Sequence, residues 1–344
     1  MKAFVTGSTG LVGSNLVHLL TAQGHSVKAL ARSEEKAARL LGSTSAEIVV
    51  GDMTDVAGFA PTLAGCDVIF HTAAYFREYF GLGDHWAQLE AINVRGTIEV
   101  LTAAEQQGVQ RAVYVSTAGV LGRGPNGAPA DETIPPDELA ETNRYFKSKV
   151  KAEEALLTWL KTHTLPVVQI LPSAIMGPRD AGPTAVGQII LDFLNGKLPA
   201  LVQSYLTFVD ARDVGQTMIN AVERGRSGER YIVSGEAVAL PDVVAQLAAW
   251  SGRATPRLMP YPFMINYARF EELLARLTRR DPLVTANALQ TIRERRLYDI
   301  SKAQRELGMT KRPFAETLHD TVMWYVDNGY LQAGQVANLA PAST

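Results

Sequence analysis

Hydrophobic residues in about the first 170 positions fall into six short runs, separated by longer stretches with a helical pattern. The runs are rich in β-branched residues and lack strict alternation, which is typical of strands buried on both faces. Amphipathic stretches such as LVGSNLVHLLTAQG predict the intervening helices. The pattern predicts an α/β fold with a doubly wound parallel sheet. The six runs are KAFVT, SVKALA, EIVV, DVIFHTA, RAVYVST and VVQIL.

The alternation of strand and helix patterns ends after ILPSAIMGP. Glycine, proline and mixed helices follow, with one further strand pattern at ERYIVSG. We therefore predict a sheet domain over residues 1–171 and a smaller lobe over residues 172–334 that closes over the carboxyl edge of the sheet. Chains of this architecture often cross between their two parts, so the lobe segment can return to the sheet. Residues 335–344 are small and polar and are predicted to form a flexible tail.

Composition and charge narrow the functional classes. Hydrophobic residues make up 47% of the 344 positions and charged residues 20%, as in ordinary globular proteins. The net charge of −2 provides no basic field for nucleic acid or an acidic membrane surface. The single cysteine, Cys66, excludes an intramolecular disulfide and a cysteine-based metal cluster. A strand begins almost at once and no apolar run approaches about 18 residues, so we expect a cytoplasmic protein without a metal site.

A glycine-rich turn joins the first strand to the first helix in FVTGSTGLVGSNLVHLL. Gly7 permits the tight turn, Gly10 lets a pyrophosphate approach the backbone, and Gly13 lets helix and strand pack closely. The helix N-terminus adds unpaired N–H groups and a positive dipole end. This placement predicts a dinucleotide site in a Rossmann-type sheet, and a glycine-rich turn without a ligand is the alternative. The residues assigned to the loop are Gly7, Thr9, Gly10, Leu11, Val12 and Gly13.

The end of the second strand indicates which dinucleotide binds. NAD sites usually carry an acidic residue there, to accept from the ribose 2′-hydroxyl. This chain instead has Ala31 followed by Arg32 and Ser33. A guanidinium suits a 2′-phosphate, so we predict NADP(H) rather than NAD(H). The alternative is a solvated arginine at the start of a charged helix.

Small and polar residues at the next two strand ends are further candidates for cofactor contacts. GDMTD offers an acceptor for the adenine edge and an apolar ring contact, and HTAA offers small residues where backbone must approach the cofactor. Either segment could equally be strand-end packing. We interpret His71 as a half-buried structural histidine rather than a catalyst. The residues assigned here are Asp52, Met53, Thr72, Ala73 and Ala74.

A tyrosine stands four residues before a lysine in NRYFKSKVKAEEALLTWL. One helical turn separates Tyr145 from Lys149, so their side chains share a face. Hydride transfer to a carbonyl needs a proton for the developing alkoxide, and a nearby ammonium lowers the phenol pKa from about 10. Ser116 and Thr117 follow the fifth strand and can polarise the carbonyl. The alternative is an ordinary amphipathic helix with a packed tyrosine.

These motifs together resemble the extended short-chain dehydrogenase/reductase superfamily. GxxGxxG, VSTAGVLG and YFKSKVKAE carry the resemblance, which covers nearly the whole chain. PLVTANALQTIRERRLYDISKAQRELGM with DTVMWYVDNGYL is similar to the dihydroflavonol reductase-like and cinnamoyl-CoA reductase-like branch, within the NAD(P)-dependent epimerase/dehydratase proteins. The resemblance implies a Rossmann-type sheet with a smaller C-terminal substrate-binding lobe.

The resemblance also implies residue roles. Tyr145 would be the general acid/base, and Lys149 would bind the nicotinamide ribose and lower the tyrosine pKa. Thr117 lies five residues before the glycine of the V-x-G turn and matches the catalytic hydroxyl, with Ser116 as the alternative and as a cofactor contact. Asn93 matches an asparagine that supports the active-site backbone and a proton-relay water.

Two later segments also match family segments. ILPSAIMGPRD implies that Pro172, Ser173 and Ile175 border the cofactor and that Met176 enters the substrate pocket. TFVDARDVG matches the segment that docks the lobe on the sheet, where we expect Asp213 to cap a helix.

Three functions are compatible with this resemblance. They are a carbonyl reductase for a bulky substrate such as an aromatic or flavonoid-like one, a nucleotide-sugar epimerase or dehydratase with bound NAD, and a non-catalytic sensor. The sensor is disfavoured because Tyr145 and Lys149 are both present. Nucleotide-sugar enzymes of the family usually have an arginine where this chain has Leu206, and Arg32 favours exchangeable NADP(H). We therefore predict the carbonyl reductase.

Aromatic residues after HTAA and in YPFMINYARFEELL predict a pocket for a planar substrate, although each could be core packing. Arg77 or Arg179 could meet a substrate anion. Superfamily members often dimerise through their fourth and fifth helices, here about residues 84–107 and 143–162, so we expect a homodimer. The pocket candidates are Tyr75, Phe76, Tyr79, Phe80, Trp86, Phe263, Met264, Tyr267 and Phe270.

Overall fold

A seven-stranded parallel sheet forms the centre of the computed structural model, which describes residues 1–76, 83–278, 282, 284–293 and 295–339. Every neighbouring pair in this sheet is parallel, so the predicted doubly wound sheet is confirmed. The strands are β1 (Lys2–Thr6), β2 (Ser26–Ala31), β3 (Glu47–Val50), β4 (Val68–His71), β5 (Arg111–Val115), β6 (Val167–Pro172), β7 (Ala174–Met176), β8 (Ala200–Val202), β9 (Tyr205–Asp210), β10 (Arg230–Val233), β11 (Glu236–Ala239) and β12 (Arg257–Met259). The order in the central sheet is β3-β2-β1-β4-β5-β6-β10.

Helices cover both faces of the central sheet and build most of the smaller lobe. A π-helical segment, Leu89–Arg95, joins α4 and α5 into one continuous helix. The helices are α1 (Leu11–Ala22), α2 (Glu34–Leu41), α3 (Val56–Phe59), α4 (Trp86–Gln88), α5 (Gly96–Gln106), α6 (Glu138–Thr142), α7 (Arg144–Trp159), α8 (Ala185–Leu194), α9 (Ala211–Arg224), α10 (Leu240–Ser251), α11 (Tyr261–Thr278), α12 (Ala286–Thr291), α13 (Ser301–Leu307) and α14 (Phe314–Asp327).

Side chains of the central strands alternate between two core layers, as the strand period of two requires. Val5 packs with Leu16 of α1 and Met218 of α9 on one face. Phe4 points to the other face and belongs to the layer that includes Leu156 of α7. Each fully buried aliphatic or aromatic side chain contributes about 1.5–3 kcal/mol, so continuous apolar runs suit strands in this position.

The chain crosses back to the central sheet after residue 171. Helix α9 packs on α1, and β10 joins the sheet beside β6. The lobe itself contains the sheet β11-β9-β7 and the pair β12-β8. Its core includes Met176, Ile190 and Tyr325. The division of the chain into two domains stays a prediction.

The C-terminal residues differ in part from the predicted flexible tail. Val336 is buried, and the Asn338 N–H donates to the Trp250 carbonyl at 3.0 Å. Residues 335–339 therefore pack against the lobe, and residues 340–344 lie outside the described residues. None of the helices in the described ranges is long and apolar enough to cross a bilayer.

Candidate active site

The glycine-rich loop follows β1, where the strand order of the sheet reverses between β1 and β4, and open α/β sheets bind ligands at such a point. Gly7 has φ +66°, and a Cβ there would come within 2.7 Å of the Ala73 nitrogen. A Cβ on Gly13 would overlap the Gly7 carbonyl, whose carbon would lie 2.7 Å away. The loop and the first turn of α1 therefore require glycine at both positions.

Gly10 provides the cradle that a pyrophosphate needs. It is the N-cap of α1, and no side chain in the described part of the chain caps this helix. A Cβ on Gly10 would meet the Gly7 oxygen at 3.2 Å and no other described atom within 4 Å outside the adjacent residues. The first-turn N–H groups, including those of Leu11 and Val12, are thus free of a capping side chain. This loop fits the predicted dinucleotide, and Thr9 lies within it.

The end of β2 carries an exposed cation. The Arg32 side chain is 72% exposed, and its Nε lies 3.9 Å from Oδ2 of Asp52. Burial alone would raise the pKa of Asp52, but hydrogen bonds from Thr54 and the charge of Arg32 bring it below the ordinary value. Ser33 accepts from the Lys36 N–H at 3.2 Å and caps α2. Arg32 therefore lies in the short loop between β2 and α2, with its guanidinium exposed.

The residues at the ends of β3 and β4 are held by backbone contacts. The Thr72 hydroxyl donates to the Thr6 carbonyl at 2.7 Å, and the Ala73 N–H donates to the Thr6 hydroxyl at 3.3 Å. Met53 is buried in the core layer that includes Phe4, and Ala73 packs against this layer. Ala74 follows in the same segment. These contacts bring the β4 end next to the glycine-rich loop.

Tyr145 lies in the first turn of α7, which Asn143 caps. The Asn143 side chain accepts from the N–H groups of Tyr145 and Phe146 at 3.0 and 3.2 Å. The ring of Phe76 lies 4.5 Å from the Tyr145 ring, centroid to centroid. Burial raises the pKa of Tyr145 above its ordinary value. The phenol is therefore neutral at physiological pH.

Lys149 differs from the predicted arrangement. Its Nζ donates to the Val115 carbonyl at 2.9 Å and to the Tyr114 hydroxyl at 3.3 Å, and it lies 4.9 Å from the centre of the Tyr114 ring. Burial lowers the pKa of Lys149 to about 8, against the opposing charge of Glu153. The predicted lowering of the Tyr145 pKa by Lys149 is therefore not observed, because these bonds hold the ammonium against β5 and burial dominates at the phenol.

Asn93 fastens the segment after β4 to α7. Its side chain accepts from the Tyr75 N–H at 2.7 Å and donates to the Tyr75 carbonyl at 3.1 Å and to the Ser148 hydroxyl at 3.0 Å. Ser148 in turn donates to the Tyr145 carbonyl at 2.7 Å. Asn93 lies in the π-helical segment, and such segments occur frequently at functional sites. Its contacts agree with the backbone-supporting role that the resemblance implies.

The two candidate hydroxyls after β5 have different surroundings. Ser116 is buried, and its hydroxyl donates to Glu153. Thr117 is half-buried, and its oxygen accepts from the Gly119 N–H at 3.1 Å. Within the described residues, the Thr117 hydroxyl donates to no partner, so its proton is available to a substrate. The geometry favours Thr117 over Ser116.

His71 is fully buried rather than half-buried. Its two ring nitrogens lie 2.8 Å from the Thr6 hydroxyl and 3.0 Å from the Thr97 hydroxyl. Burial, and to a smaller extent the charge of Lys149, lower the pKa of His71 to about 3. It is a neutral structural histidine, which agrees with the interpretation from the sequence.

Two predicted positions need correction. Met176 does not enter a pocket, because it is buried in the lobe core with Val186 and Ile190. Asp213 does not cap a helix: Asp210 caps α9. Asp213 instead accepts from the Arg312 N–H at 2.7 Å and pairs with its guanidinium. A sequence pattern gives no indication of either non-local contact.

The remaining candidates are dispersed. Pro172 ends β6, the Ser173 N–H donates to the Val233 carbonyl at 3.1 Å, and Ile175 packs against the core layer of α1 and α9. Tyr75 contacts His85 through its hydroxyl at 2.8 Å.

The lobe aromatics are mostly open to solvent. Phe263 and Phe270 are 66% and 59% exposed, so they are not packed between the two parts of the chain.

Met264 packs in a small cluster with Ala268, and Arg179 donates to the Asn15 side chain at 3.2 Å. Trp86 begins α4, and Tyr267 lies on the same helix as Phe263. Arg77, Tyr79 and Phe80 lie outside the described residues.

Sequence reasoning missed Tyr114 and Glu153. Tyr114 accepts from Lys149, and Glu153 accepts from the Ser116 hydroxyl. The strand period places Tyr114 on the face that α7 covers, and Glu153 follows Lys149 by one helical turn. Both spacings are visible in the sequence. The contacts depend on how α7 is laid across the sheet.

Comparison with known proteins agrees with this geometry. Residues 3–234 match the NAD dependent epimerase/dehydratase family. The chain is 34% identical to a putative dihydroflavonol 4-reductase from Synechocystis sp. over 334 residues, 96% of each chain. It is 32% identical to sterol demethylase protein B from Methylococcus capsulatus, over 96% of this chain and 100% of that protein.

A solved structure extends the likeness to the fold. The crystal structure of a nucleoside-diphosphate-sugar epimerase from Pseudomonas aeruginosa matches with a TM-score of 0.75 and 28% identity, over 96% of this chain and 99% of that one. The chain thus belongs to the NAD-dependent epimerase/dehydratase family and is an NAD(P)-dependent oxidoreductase within it.

Proposed function

We propose that this protein is an NADP(H)-dependent carbonyl reductase that converts a ketone or aldehyde on a bulky molecule, such as an aromatic or flavonoid-like one, into an alcohol. The observation that carries the proposal is the position of Tyr145. It is a neutral phenol in the first turn of α7, with the Phe76 ring against it, and the turn that Thr117 caps packs on the same helix. A neutral phenol is the form that can donate a proton.

Each residue of the site has one task in this reaction. The loop around Gly10 would hold the pyrophosphate and Arg32 the 2′-phosphate of NADPH, which supplies the hydride when it is bound. Thr117 donates a hydrogen bond to the substrate carbonyl. Tyr145 donates its proton to the oxygen as the carbonyl is reduced, and Lys149 would bind the ribose. One hydride and one proton give the alcohol.

A nucleotide-sugar epimerase is the second candidate, because a protein with that name shares the fold. Such substrates carry a diphosphate that needs cations. Leu206 stands at the position where family members of that kind usually have an arginine, and it packs against the apolar core of the lobe. The Synechocystis relative, named a putative dihydroflavonol 4-reductase, supports the carbonyl reductase instead.

The deciding experiment measures NADPH and NADH oxidation with a panel of ketones, aldehydes and flavonoid-like carbonyls. A parallel panel of UDP- and GDP-sugars tests the second candidate by product analysis. The reductase proposal requires oxidation of one cofactor for each alcohol formed. Epimerised sugar without net cofactor oxidation would replace it with the epimerase.

The Arg32→Asp variant tests the assignment of the 2′-phosphate. We expect the ratio of kcat/KM with NADPH to that with NADH to fall by about 10–100-fold, because a hydrogen bond to a charged group contributes roughly 1.5–3 kcal/mol. Arg39→Asp, at an exposed position of α2, carries the same charge change and should leave the ratio within about twofold. An unchanged ratio in Arg32→Asp removes the assignment.

The Thr117→Val variant tests which hydroxyl polarises the carbonyl. Valine keeps the shape and removes the donor, so we expect kcat to fall by about 10²–10³-fold, as when an oxyanion donor is lost. Ser116→Ala should lower kcat less than about tenfold, because its hydroxyl is committed to Glu153. Steady-state kinetics of both variants decide, and the reverse order would make Ser116 the catalytic hydroxyl.

A further inference from the structure

Five polar side chains form a row across the face of the central sheet that α7 covers. The strand register pairs Thr6 with His71, His71 with Tyr114, Tyr114 with Gln169, and Gln169 with Arg230. Paired residues on neighbouring strands point to the same face of a sheet. Polar groups in a buried layer are costly unless they are partnered. The Gln169 side chain has no hydrogen-bond partner among the described residues, so the partners of the other members are informative.

Helix α7 supplies two of those partners. Lys149 donates to the Tyr114 hydroxyl at 3.3 Å. Glu153 accepts from Nη1 of Arg230 at 3.1 Å through one carboxylate oxygen, and from the Ser116 hydroxyl through the other. One helical turn separates Lys149 from Glu153, so both face the sheet. We call Lys149, Glu153, Ser116 and Arg230 the Glu153 cluster.

The carboxylate of Glu153 is buried and held from several sides. Burial raises its pKa, while the Ser116 donor and the charges of Arg230 and Lys149 act in the opposite direction. Arg230 is itself fixed, since its guanidinium donates to the Glu132 carbonyl and its own carbonyl accepts from Lys302 at 2.7 Å. Burial is the largest of these effects, so the pKa of Glu153 lies above its ordinary value, and the two cations oppose that rise.

The charge of Lys149 depends on what faces it. Burial favours the neutral amine, and the Glu153 charge favours the ammonium. Tyr114 from β5 is neutral because burial raises its pKa, His71 from β4 is neutral, and Tyr145 on α7 is a neutral phenol. Arg230 from β10 is a cation that pairs with Glu153 at 3.1 Å. Among the described residues, Glu153 is thus the carboxylate that supports the ammonium.

We propose that Glu153 is a positioning residue that keeps Lys149 charged at neutral pH and, by holding Ser116, fixes the strand end that carries Thr117. Its importance for turnover rests on the proposed function. Its effect on the charge of Lys149 can be measured without cofactor or substrate. An experiment can therefore contradict the role of Glu153 without contradicting the proposed reaction, and the reverse.

The Glu153→Gln variant removes the charge, keeps the shape and leaves an oxygen that can accept from Ser116. In the ligand-free protein with ¹³C-labelled lysine, NMR titration follows the Lys149 Cε resonance, which is assigned by its absence in Lys149→Met. We expect the Lys149 titration midpoint to fall by about one pH unit or more, the size of shift that an opposite charge nearby produces. Glu154→Gln is the matched control, since Glu154 is exposed on the same helix. The Lys149 titration midpoint in this variant should equal that of the wild type.

The pH profile of kcat provides the second readout. In Glu153→Gln the alkaline limb should move to lower pH by the amount seen in the NMR titration, because Lys149 loses its proton earlier. Glu153→Asp retains the charge on a shorter side chain. Its alkaline limb should lie between those of Glu153→Gln and the wild type. If Glu153→Gln does not fold, as judged by circular dichroism, Glu153→Asp provides the test, and its midpoint must still fall part of the way.

The outcomes separate the two proposals. An unchanged Lys149 midpoint in the variants overturns the role of Glu153, even where the wild type reduces carbonyls. A lowered midpoint in a protein that reduces no carbonyl supports the role of Glu153 in setting the charge and removes the proposed reaction. A uniform loss of kcat at all pH values, with no shift of the limb, would show that Glu153 is merely structural.

Discussion

Replacing Tyr145 with phenylalanine is expected to lower kcat by about 10²–10⁴-fold, the usual contribution of a general acid. The substitution removes the hydroxyl alone. The ring contact with Phe76 and the Asn143 cap of α7 remain, so the dissociation constant for NADPH should stay within about twofold. Steady-state rates and titration of nicotinamide fluorescence measure the two quantities.

A matched variant separates this effect from the general loss of a tyrosine hydroxyl. Tyr330→Phe removes a hydroxyl that donates to the Ala181 carbonyl at 2.8 Å, in the lobe. Its kcat should remain within about threefold of the wild type, since a lost hydrogen bond of about 1 kcal/mol affects stability here and not the reaction. A decrease of less than about tenfold in Tyr145→Phe would show that another group supplies the proton.

The Gly13→Ala variant is expected to lose both cofactor binding and stability. The added Cβ would overlap the Gly7 carbonyl, and its carbon lies 2.7 Å from the ideal Cβ position. Backbone cannot yield as a flexible side chain can, so α1 must move away from the loop, at a cost of about 1–3 kcal/mol. Thermal unfolding and NADPH titration measure the two losses.

Gly10→Ala separates the cradle from the packing. The added methyl would meet the Gly7 oxygen at 3.2 Å, so stability should change by less than about 1 kcal/mol. NADPH affinity should nevertheless fall by about tenfold or more, since the methyl occupies the approach of the pyrophosphate. Gly334→Ala is the control, because its Cβ would meet nothing within 4 Å. If Gly10→Ala binds NADPH as well as the wild type, the loop does not hold the phosphates.

Local features of the chain were accessible to sequence reasoning because they depend on short-range geometry. The six apolar runs became β1–β6, and the strand signal at ERYIVSG became β10. The glycine spacing predicts the turn because Gly7 requires a positive φ, and helical spacing places Tyr145 and Lys149 on one face. The lobe strands β7, β8, β9, β11 and β12 were not predicted. Four of them have only three or four residues, which carry little periodicity, and β9 has six.

Non-local contacts decided the residue roles that the sequence left open or predicted wrongly. Ser116 and Thr117 are adjacent and chemically alike, and only the packing of α7 on β5 commits Ser116 to Glu153. Asp213 looked like a helix cap because it lies near a helix start. Its partner is Arg312, almost a hundred positions away in sequence, which no local pattern can indicate.

The sequence by itself determined the parallel sheet, the glycine loop and the Tyr-x-x-x-Lys pair, because steric limits and helical or strand periods act over a few residues. Only the tertiary structure decided what surrounds the Lys149 ammonium. The strand register aligns Tyr114, Gln169 and Arg230 from separate strands, and α7 lies across them. The charge of a buried amine depends on such neighbours and on desolvation, which arise only when distant segments pack together.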